Sequence, residues 1–369
     1  MNLIFDGNYL FYKTLFIFGS YGSKGAKVLS TQRDQEMFIR KIATDMTHAI
    51  RTFGNPDKVI FTIDSRSWRK EVEIEEGGYK SNREKDESVI DWDQFFKMMN
   101  EFADILQDNG FIVSREDRAE GDDLMYLWAD ELFNDGHDSV IITGDGDLTQ
   151  CVKFNEKNFI VVYNPNSKMR KIVAPEGFTQ WVKKEDYDLF DASTFMNRSK
   201  DLIQEAMSSV VIEEIDPAYL IFQKTICGDA GDAVPPVWTW ENKSKTYRVT
   251  PAKAARIYEM MQLVKPIGDI YNLPERAQEV VNGINATFKQ MPPVNVIESR
   301  LRRNIILMYL DRRVIPEDIQ FGFKKAYAKS QTAEELSAKV YDMAHILEGT
   351  RFLTAPKAFE ADIFSQFKL

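Results

Sequence analysis

The chain has 369 residues, a formal net charge of −10 and 44% hydrophobic residues. This composition predicts a globular protein with one large domain or two smaller ones. The negative charge argues against a basic coat that binds nucleic acid non-specifically, but not against a local basic path. Two cysteines and three histidines are too few for a disulfide framework or for a metal site built from Cys or His. The sequence shows no signal peptide or membrane-spanning stretch, so a cytoplasmic location is expected.

The first half of the chain alternates between short apolar stretches and amphipathic ones. Strands are predicted at residues 2–6, 57–64, 111–115, 138–143 and 158–163, and helices at 31–53, 92–108 and from Gly121 onward. This alternation predicts an α/β fold with a mostly parallel central sheet flanked by helices. From about Pro175 the pattern becomes mainly helical. Two regions are therefore predicted, residues 1–174 and residues 175–369.

Acidic residues recur where the predicted strands end or where the next helix begins. The carboxyl ends of parallel strands meet at one edge of a sheet, which is where open α/β sheets bind ligands. One such acid alone has a simpler explanation, since Asp6 could merely cap the helix that follows it. Seven acids at one edge would repel one another and therefore indicate a bound cation. They are Asp6, Asp64, Glu120, Asp122, Asp123, Asp145 and Asp147.

Two more acids, Asp229 and Asp232, stand three residues apart in KTICGDAGDAVPPV. This spacing suits one helical turn or a tight loop, and by itself it fits a plain turn as well as a site. Oxygen ligands without His or Cys select Mg²⁺, with Mn²⁺ able to substitute, and this many acids exceeds the need of one octahedral ion. Two ions are the natural inference. Paired ions clamp the attacking and leaving oxygens of a phosphoryl displacement, so the chemistry indicated is phosphodiester hydrolysis.

Three further segments leave alternatives open. Residues 65–87 interleave aromatic and basic residues, which is typical either of a solvated loop or of a surface that stacks on bases and contacts phosphates. Residues 298–313 carry several arginines that suit a nucleic-acid backbone or a solvated helix end. The segment Phe359–Phe367 either docks on the body of the protein or inserts into a groove of a partner.

Six short motifs resemble, in this order, those of the 5′ nuclease superfamily, which contains flap endonucleases and the 5′-to-3′ exonuclease domains of bacterial DNA polymerases. The motifs are DGNYLFYK, FTID, YKSNR, AEGDD, TGDGD and GDAGD. Likeness in WRK, DWDQFF and NIILMYLDRRVIPEDI favours the T-even-type phage branch. The resemblance spans residues 2–318. It implies a PIN-like α/β domain with a helical arch near residues 65–110, and a C-terminal region that binds DNA and completes the metal site.

The resemblance also implies roles for individual residues. Lys80 and Arg83 match the basic pair at the base of the arch, and with Asp122 and Asp145 they are the expected catalytic residues. Lys13, Arg69 and Tyr79 are expected to contact nucleic acid, with Tyr79 stacking on a base. The first metal site would comprise Asp6, Asp64, Glu120, Asp122 and Asp123, and the second Asp145, Asp147, Asp229 and Asp232.

One segment departs from the family pattern. Relatives usually follow the last two aspartates with a glycine-rich helix-hairpin-helix that holds duplex phosphates. Here an insertion at residues 238–248 is followed by VTPAKAARI, which contains no glycine. In many members this element also holds a monovalent cation, so the departure leaves potassium binding and the usual grip on the duplex open for this chain. We expect direct phosphate contacts to substitute for this grip, made by Lys243, Lys245, Arg248 and Lys253.

The function implied by the resemblance is that of a Mg²⁺-dependent 5′ nuclease. It would act as a monomer on branched or 5′-ended DNA and on RNA–DNA duplex, and would remove lagging-strand primers in the host bacterial cytoplasm if phage-encoded. A sliding clamp, bound through Phe359–Phe367, and a single-strand DNA-binding protein are the partners considered. The alternatives are a PIN-type ribonuclease and a non-catalytic nucleic-acid-binding relative.

Overall fold

The computed structural model describes residues 1–21, 28–53, 56–75, 77–83, 89–165, 171–183, 211–242, 245–331 and 343–353. Within these ranges, eight strands form one sheet and two more form a separate hairpin. The strands are β1 (Asn2–Asp6), β2 (Lys58–Thr62), β3 (Ile112–Ser114), β4 (Ser139–Ile142), β5 (Lys153–Phe154), β6 (Phe159–Asn164), β7 (Lys171–Pro175), β8 (Val211–Ile215), β9 (Thr239–Asn242) and β10 (Lys245–Arg248).

Eleven α-helices lie within the same ranges, together with three short 3-10 helices at Trp68–Glu71, Gly146–Cys151 and Ile270–Arg276. None of these helices is long and apolar enough to cross a membrane. The α-helices are α1 (Gly7–Tyr21), α2 (Gln32–Phe53), α3 (Trp92–Asp108), α4 (Gly121–Asn134), α5 (Phe178–Lys183), α6 (Pro217–Cys227), α7 (Pro251–Val264), α8 (Ala277–Phe288), α9 (Val294–Met308), α10 (Glu317–Gln331) and α11 (Met343–Ile346).

The main sheet has the strand order β3-β2-β1-β4-β6-β7-β8, with β5 beside β6. Strand β1 lies at its centre and pairs in parallel with β2 and β4. The antiparallel pairs in this sheet are those of β5 with β6 and of β7 with β6. Successive side chains of a strand point to opposite faces, so Leu3 and Phe5 enter one core with α1, α2 and α3, whereas Ile4 enters a second core with α4 and α10. The predicted mostly parallel sheet flanked by helices is confirmed.

Helix α4 is the element that connects the acidic motifs AEGDD and TGDGD. Its residues Leu124, Leu127 and Trp128 are fully buried, as its apolar positions predict. The Trp128 indole N–H donates to the Ser114 hydroxyl at 2.8 Å, and its ring packs edge-on against Phe323 of α10. Because this buried face packs α4 against the sheet, the acids at its N-terminus are held in position at the carboxyl edge of the strands.

The C-terminal half of the chain is more closely joined to the sheet than the predicted boundary at residue 174 suggests. Strand β8 pairs in parallel with β7, and α10 and α11 pack on opposite faces of the sheet. Helices α6 to α9 form a third core around Phe222, Val280 and Leu301. The prediction of a mainly helical region after Pro175 is therefore correct for α6 to α11, but it missed β8 and the β9–β10 hairpin.

Candidate active site

A pocket of about 510 Å³ lies at the carboxyl edge of the parallel strands. Its walls come from the ends of β1 and β2, the N-terminus of α4, the loop after β4 and the loop after α6. Eight of the nine carboxylates predicted as metal ligands line it, as expected for acids placed at this edge of the sheet. They are Asp6, Asp64, Glu120, Asp122, Asp145, Asp147, Asp229 and Asp232.

Asp6 is the last residue of β1, and its two carboxylate oxygens have different partners. One accepts the backbone N–H of Tyr9 at 2.8 Å, so Asp6 does cap α1. The other accepts the Thr143 hydroxyl at 2.7 Å. Both interpretations of Asp6 therefore hold, because the residue caps a helix and also lines the acidic pocket.

Asp64 follows β2 and accepts the backbone N–H of Gly121, the first residue of α4, at 2.6 Å. The positive end of the helix dipole favours a carboxylate at this point. A side chain at position 121 would place its Cβ 2.8 Å from the Asp64 carboxylate oxygen. The glycine in the AEGDD motif is therefore required for Asp64 to reach the start of α4.

Mutual repulsion and burial change how these acids ionise. Burial, together with Asp64 and Asp145, raises the pKa of Asp6 from 3.8 to about 7. Burial raises the pKa of Asp122 well above its ordinary value, and the charges of Asp145 and Asp6 add to the effect. The pKa of Asp64 is also raised, mainly by burial. These acids therefore keep their protons to a higher pH than exposed carboxyl groups do.

The TGDGD loop carries Asp145 and Asp147 into the pocket immediately after β4. The Asp145 carboxylate accepts the backbone N–H of Asp147 at 2.9 Å, which caps the short helix Gly146–Cys151. The amide of Gln150 donates to the Met308 carbonyl and accepts from the Leu310 N–H. This pair of bonds holds the loop against the C-terminal half of the chain.

Asp229 and Asp232 lie in a tight loop rather than on a helical turn. Helix α6 ends at Cys227, and Gly228 has a φ of 68°, which is a conformation that favours glycine. A Cβ there would lie 2.3 Å from the Val234 carbonyl oxygen. The Asp229 carboxylate accepts the backbone N–H groups of Gly231 and Asp232 at 2.7 and 3.3 Å. The structure thereby decides between the two conformations that the spacing allowed.

Basic residues of the segment predicted to form the arch, residues 65–110, reach the same pocket. The Lys80 ammonium forms an ion pair with Glu120 and lies 3.9 Å from Asp232. The Arg83 guanidinium contacts Asp232 at 2.5 Å. Burial would raise the pKa of Glu120, but Lys80 and Arg69 together hold that pKa below its ordinary value. Lys80 and Arg83 line the pocket in direct contact with its carboxylates. Their catalytic role stays a prediction.

The structure contradicts the predicted roles of Asp123 and Arg69. Arg69 is only 2% exposed and forms a bidentate pair with the fully buried Asp123 at 2.7 and 2.9 Å. The same guanidinium donates to Glu120 at 3.0 Å. The Trp68 indole donates to the second Asp123 oxygen at 3.0 Å. Asp123 is therefore absent from the residues that line the pocket, whereas Arg69 lies in the pocket wall with its guanidinium committed to Asp123 and Glu120.

Tyr79 also departs from its predicted role. Only 6% of the residue is exposed, and its ring belongs to the third core. Its hydroxyl lies 3.1 Å from Glu120 and 3.0 Å from Asp232. A ring buried in this way has no free face for stacking on a base. Tyr79 instead connects two pocket carboxylates that come from different halves of the chain.

The other expected nucleic-acid contacts lie outside the pocket. Lys13 on α1 pairs with Asp45 at 3.2 Å. Lys245 is exposed on the β9–β10 hairpin, and the Lys253 ammonium lies 5.5 Å from the centre of the Phe288 ring. These roles stay predictions. Lys243 and the segment Phe359–Phe367 fall outside the described residues.

One residue that contacts two of the pocket carboxylates was missed by the sequence analysis. The Lys224 ammonium, near the end of α6, forms an ion pair with Asp147 and lies 3.2 Å from Asp229. The only available signal was its position about one helical turn before Asp229. Over the described ranges, no three Asp, Glu, His or Cys side chains are grouped closely enough to hold one metal ion as they stand. Lysine, arginine, hydroxyl and backbone N–H groups contact many of the carboxylate oxygens instead.

Comparison with known proteins agrees with this arrangement. Residues 1–183 match the family described as 5′-3′ exonuclease, N-terminal resolvase-like domain. The chain is a member of the 5′ nuclease superfamily.

One relative of this 5′ nuclease superfamily member is ribonuclease H of Enterobacteria phage T4, which is 32% identical over 103 residues. That match covers 26% of the chain and 33% of the phage T4 protein, so it spans about one third of the relative's length. A solved structure of the phage T5 flap endonuclease with DNA and metal ions has a TM-score of 0.52 at 16% identity, and covers 90% of this chain and 100% of its own. The phage T5 protein co-crystallised with metal ions has a TM-score of 0.50 at 15% identity, with coverages of 89% and 99%. At these identities the structural likeness shows the fold.

Proposed function

We propose that the protein is a metal-dependent 5′ nuclease that hydrolyses phosphodiesters at the 5′ ends or flaps of DNA and RNA–DNA duplex. The observation that carries the proposal is the pocket itself. Eight carboxylates from both halves of the chain line it together with Lys80 and Arg83. Ion pairs that only stabilise a fold do not require so many acids at one surface. Hydrolysis of a phosphodiester by bound metal ions does require them, because the acids hold the ions.

The donor set fits divalent metal ions. All eight side chains offer hard oxygen ligands, which suit Mg²⁺ and Mn²⁺. Burial is the main cause of the raised pKa values of Asp6 and Asp122, and neighbouring carboxylates add to both; bound cations would favour the ionised form of these acids. We propose two Mg²⁺ ions, with Mn²⁺ able to substitute. When bound, such ions polarise the phosphate and activate water for attack.

The residues of the pocket would either hold a metal ion or orient the phosphate. Asp6, Asp64, Glu120 and Asp122 would serve one ion, and Asp147, Asp229 and Asp232 the other. Asp145 interacts electrostatically with Asp6, Asp122 and Asp147, so it stands between the two groups. Lys80 and Arg83 would orient the scissile phosphate and stabilise its developing charge. Asp123 is no longer proposed as a ligand, because its oxygens are committed to Arg69 and Trp68.

The proposed substrate class rests on the relatives. One is named a ribonuclease H, and another is a flap endonuclease crystallised with DNA. Removal of RNA primers during phage DNA replication would combine both activities. The exposed Lys245 and the neighbouring Lys253 would contact duplex phosphates beyond the pocket. A PIN-type ribonuclease is less well supported, because Asp229 and Asp232 of the C-terminal half complete this pocket.

The direct test is digestion of 5′-labelled flap, nicked and RNA-primed substrates with Mg²⁺, Mn²⁺ or a chelator, reading product length. We expect short 5′-terminal products that require the metal. Asp122→Asn should abolish cleavage, whereas Asp104→Asn, the same change at an exposed site on α3, should leave it intact. Metal-independent cleavage, or full activity of Asp122→Asn, would refute the proposed function.

A further inference from the structure

Lys224 has no role in the chemistry proposed above, yet it contacts two of the pocket carboxylates. Its side chain is 18% exposed and lies between Asp147 and Asp229. These two acids are far apart in sequence, one after β4 and the other after α6. A single ammonium group therefore neutralises two pocket carboxylates that belong to different halves of the chain.

The oxygens that Lys224 contacts are those that remain available on each acid. One oxygen of Asp229 is committed to the backbone N–H groups of Gly231 and Asp232, and Lys224 lies 3.2 Å from the other. It also contacts one of the two oxygens of Asp147. A divalent ion approaching these two acids would compete with the ammonium, because both cations are attracted to the same pair of carboxylates.

We propose that Lys224 is a built-in counter-ion that a divalent metal must displace from Asp147 and Asp229, so that this lysine sets the metal concentration at which the pocket fills. The inference rests on the proposed metal dependence and adds a determinant of metal affinity. Without the ammonium, the two acids would repel each other in the metal-free protein and bind a cation more strongly. With it, the metal-free fold is stabilised and metal binding is weakened.

The first test is a substrate-free titration of the wild type and Lys224→Met with MgCl₂, followed by thermal unfolding and by calorimetry. We expect Lys224→Met to melt lower without metal, and to reach half-saturation at a Mg²⁺ concentration lower by about tenfold. Lys153→Met is the matched control. Lys153 is 37% exposed and pairs with Asp130 at 2.7 Å, away from the pocket residues, so its Mg²⁺ half-saturation should change less than about twofold.

The outcomes separate this inference from the proposed function. If neither Mg²⁺ nor Mn²⁺ binds the wild type, the proposed metal dependence fails, and the inference fails with it. If the wild type binds metal but Lys224→Met binds it equally or more weakly, only the inference is overturned, because Lys224 then merely positions the carboxylates.

A second measurement needs no variant and covers the case in which Lys224→Met does not fold. Lysines of the wild type are acylated with and without Mg²⁺, and modification is read by peptide mass spectrometry. Displacement from Asp147 and Asp229 should raise the labelling of Lys224 about threefold or more, because an ammonium group released from its two carboxylates is more accessible to the reagent. Labelling of Lys153 should not change. Equal labelling of Lys224 in both conditions would overturn the inference.

Discussion

Replacing Arg69 with methionine tests how much the ion pairs of Arg69 with Asp123 and Glu120 stabilise the protein. Methionine keeps much of the aliphatic volume but removes the guanidinium that donates to both Asp123 oxygens and to Glu120. Both acids are buried. The substitution would leave two carboxylates without their main partner in a region that water barely reaches.

The expected cost follows from that burial. Removing one partner of a buried ion pair costs about 3–5 kcal/mol, because the remaining charge is left uncompensated. Typical proteins have only about 5–15 kcal/mol of total stability, so Arg69→Met should lower the unfolding free energy by about a fifth or more. In the wild type the pKa of Glu120 is lowered, so its pairing stabilises the fold above pH 4.5 and is lost as the pH falls. The loss in Arg69→Met should therefore be largest at pH 8 and smaller near pH 4.

The assay is urea unfolding of metal-free wild type, Arg69→Met and Lys70→Met at pH 8 and pH 4. Lys70 is the exposed neighbour of Arg69, and its substitution should cost less than about 0.5 kcal/mol. Binding of a flap substrate is measured on the folded fraction. A stability loss below about 1 kcal/mol at pH 8, with weakened flap binding, would refute the structural role and restore Arg69 as a nucleic-acid contact.

Three further predictions concern the acids and Lys80. Asp145→Asn should abolish cleavage yet raise the melting temperature of the metal-free protein, because it relieves repulsion at the rim; a lower melting temperature would contradict a clustered site. Lys80→Ala should lower kcat about 100-fold while flap affinity changes little, and equal losses in both would reduce Lys80 to a simple phosphate contact. Asp138, whose pKa burial raises to about 7, contributes stability that is present below pH 3.8 and lost as the pH rises through 7. Asp138→Asn should therefore stabilise the protein at pH 8 by about 2 kcal/mol in urea unfolding with or without Mg²⁺, and no gain at pH 8 would refute this.

The sequence predicts the sheet edge at which eight of the nine acids lie, because strand and helix periodicity are local properties. The predicted strand at residues 2–6 is β1, and the predicted helix at residues 92–108 is α3. Once parallel strands are predicted, their carboxyl ends must share one edge. Asp6, Asp64 and Asp145 were therefore assigned to the pocket before any distance was known.

Local patterns did not reveal which charged residues are buried against one another. Asp122 and Asp123 are adjacent in sequence and chemically identical, yet Asp122 lines the pocket and Asp123 pairs with Arg69. Successive residues of a helix point about 100° apart, so the direction of each depends on how α4 packs on the sheet. Tyr79 was misassigned for the same reason, since its burial depends on the third core.

The sequence alone determined the α/β fold, the acidic edge and the family, because motif order and periodicity are written along the chain. Tertiary structure decided which cation faces which acid. Lys224 meets Asp147 only because α6 packs beside the short helix Gly146–Cys151. Contacts of this kind join segments that are distant in sequence, and their geometry is fixed by packing between helices and sheet rather than by any pattern within a single segment.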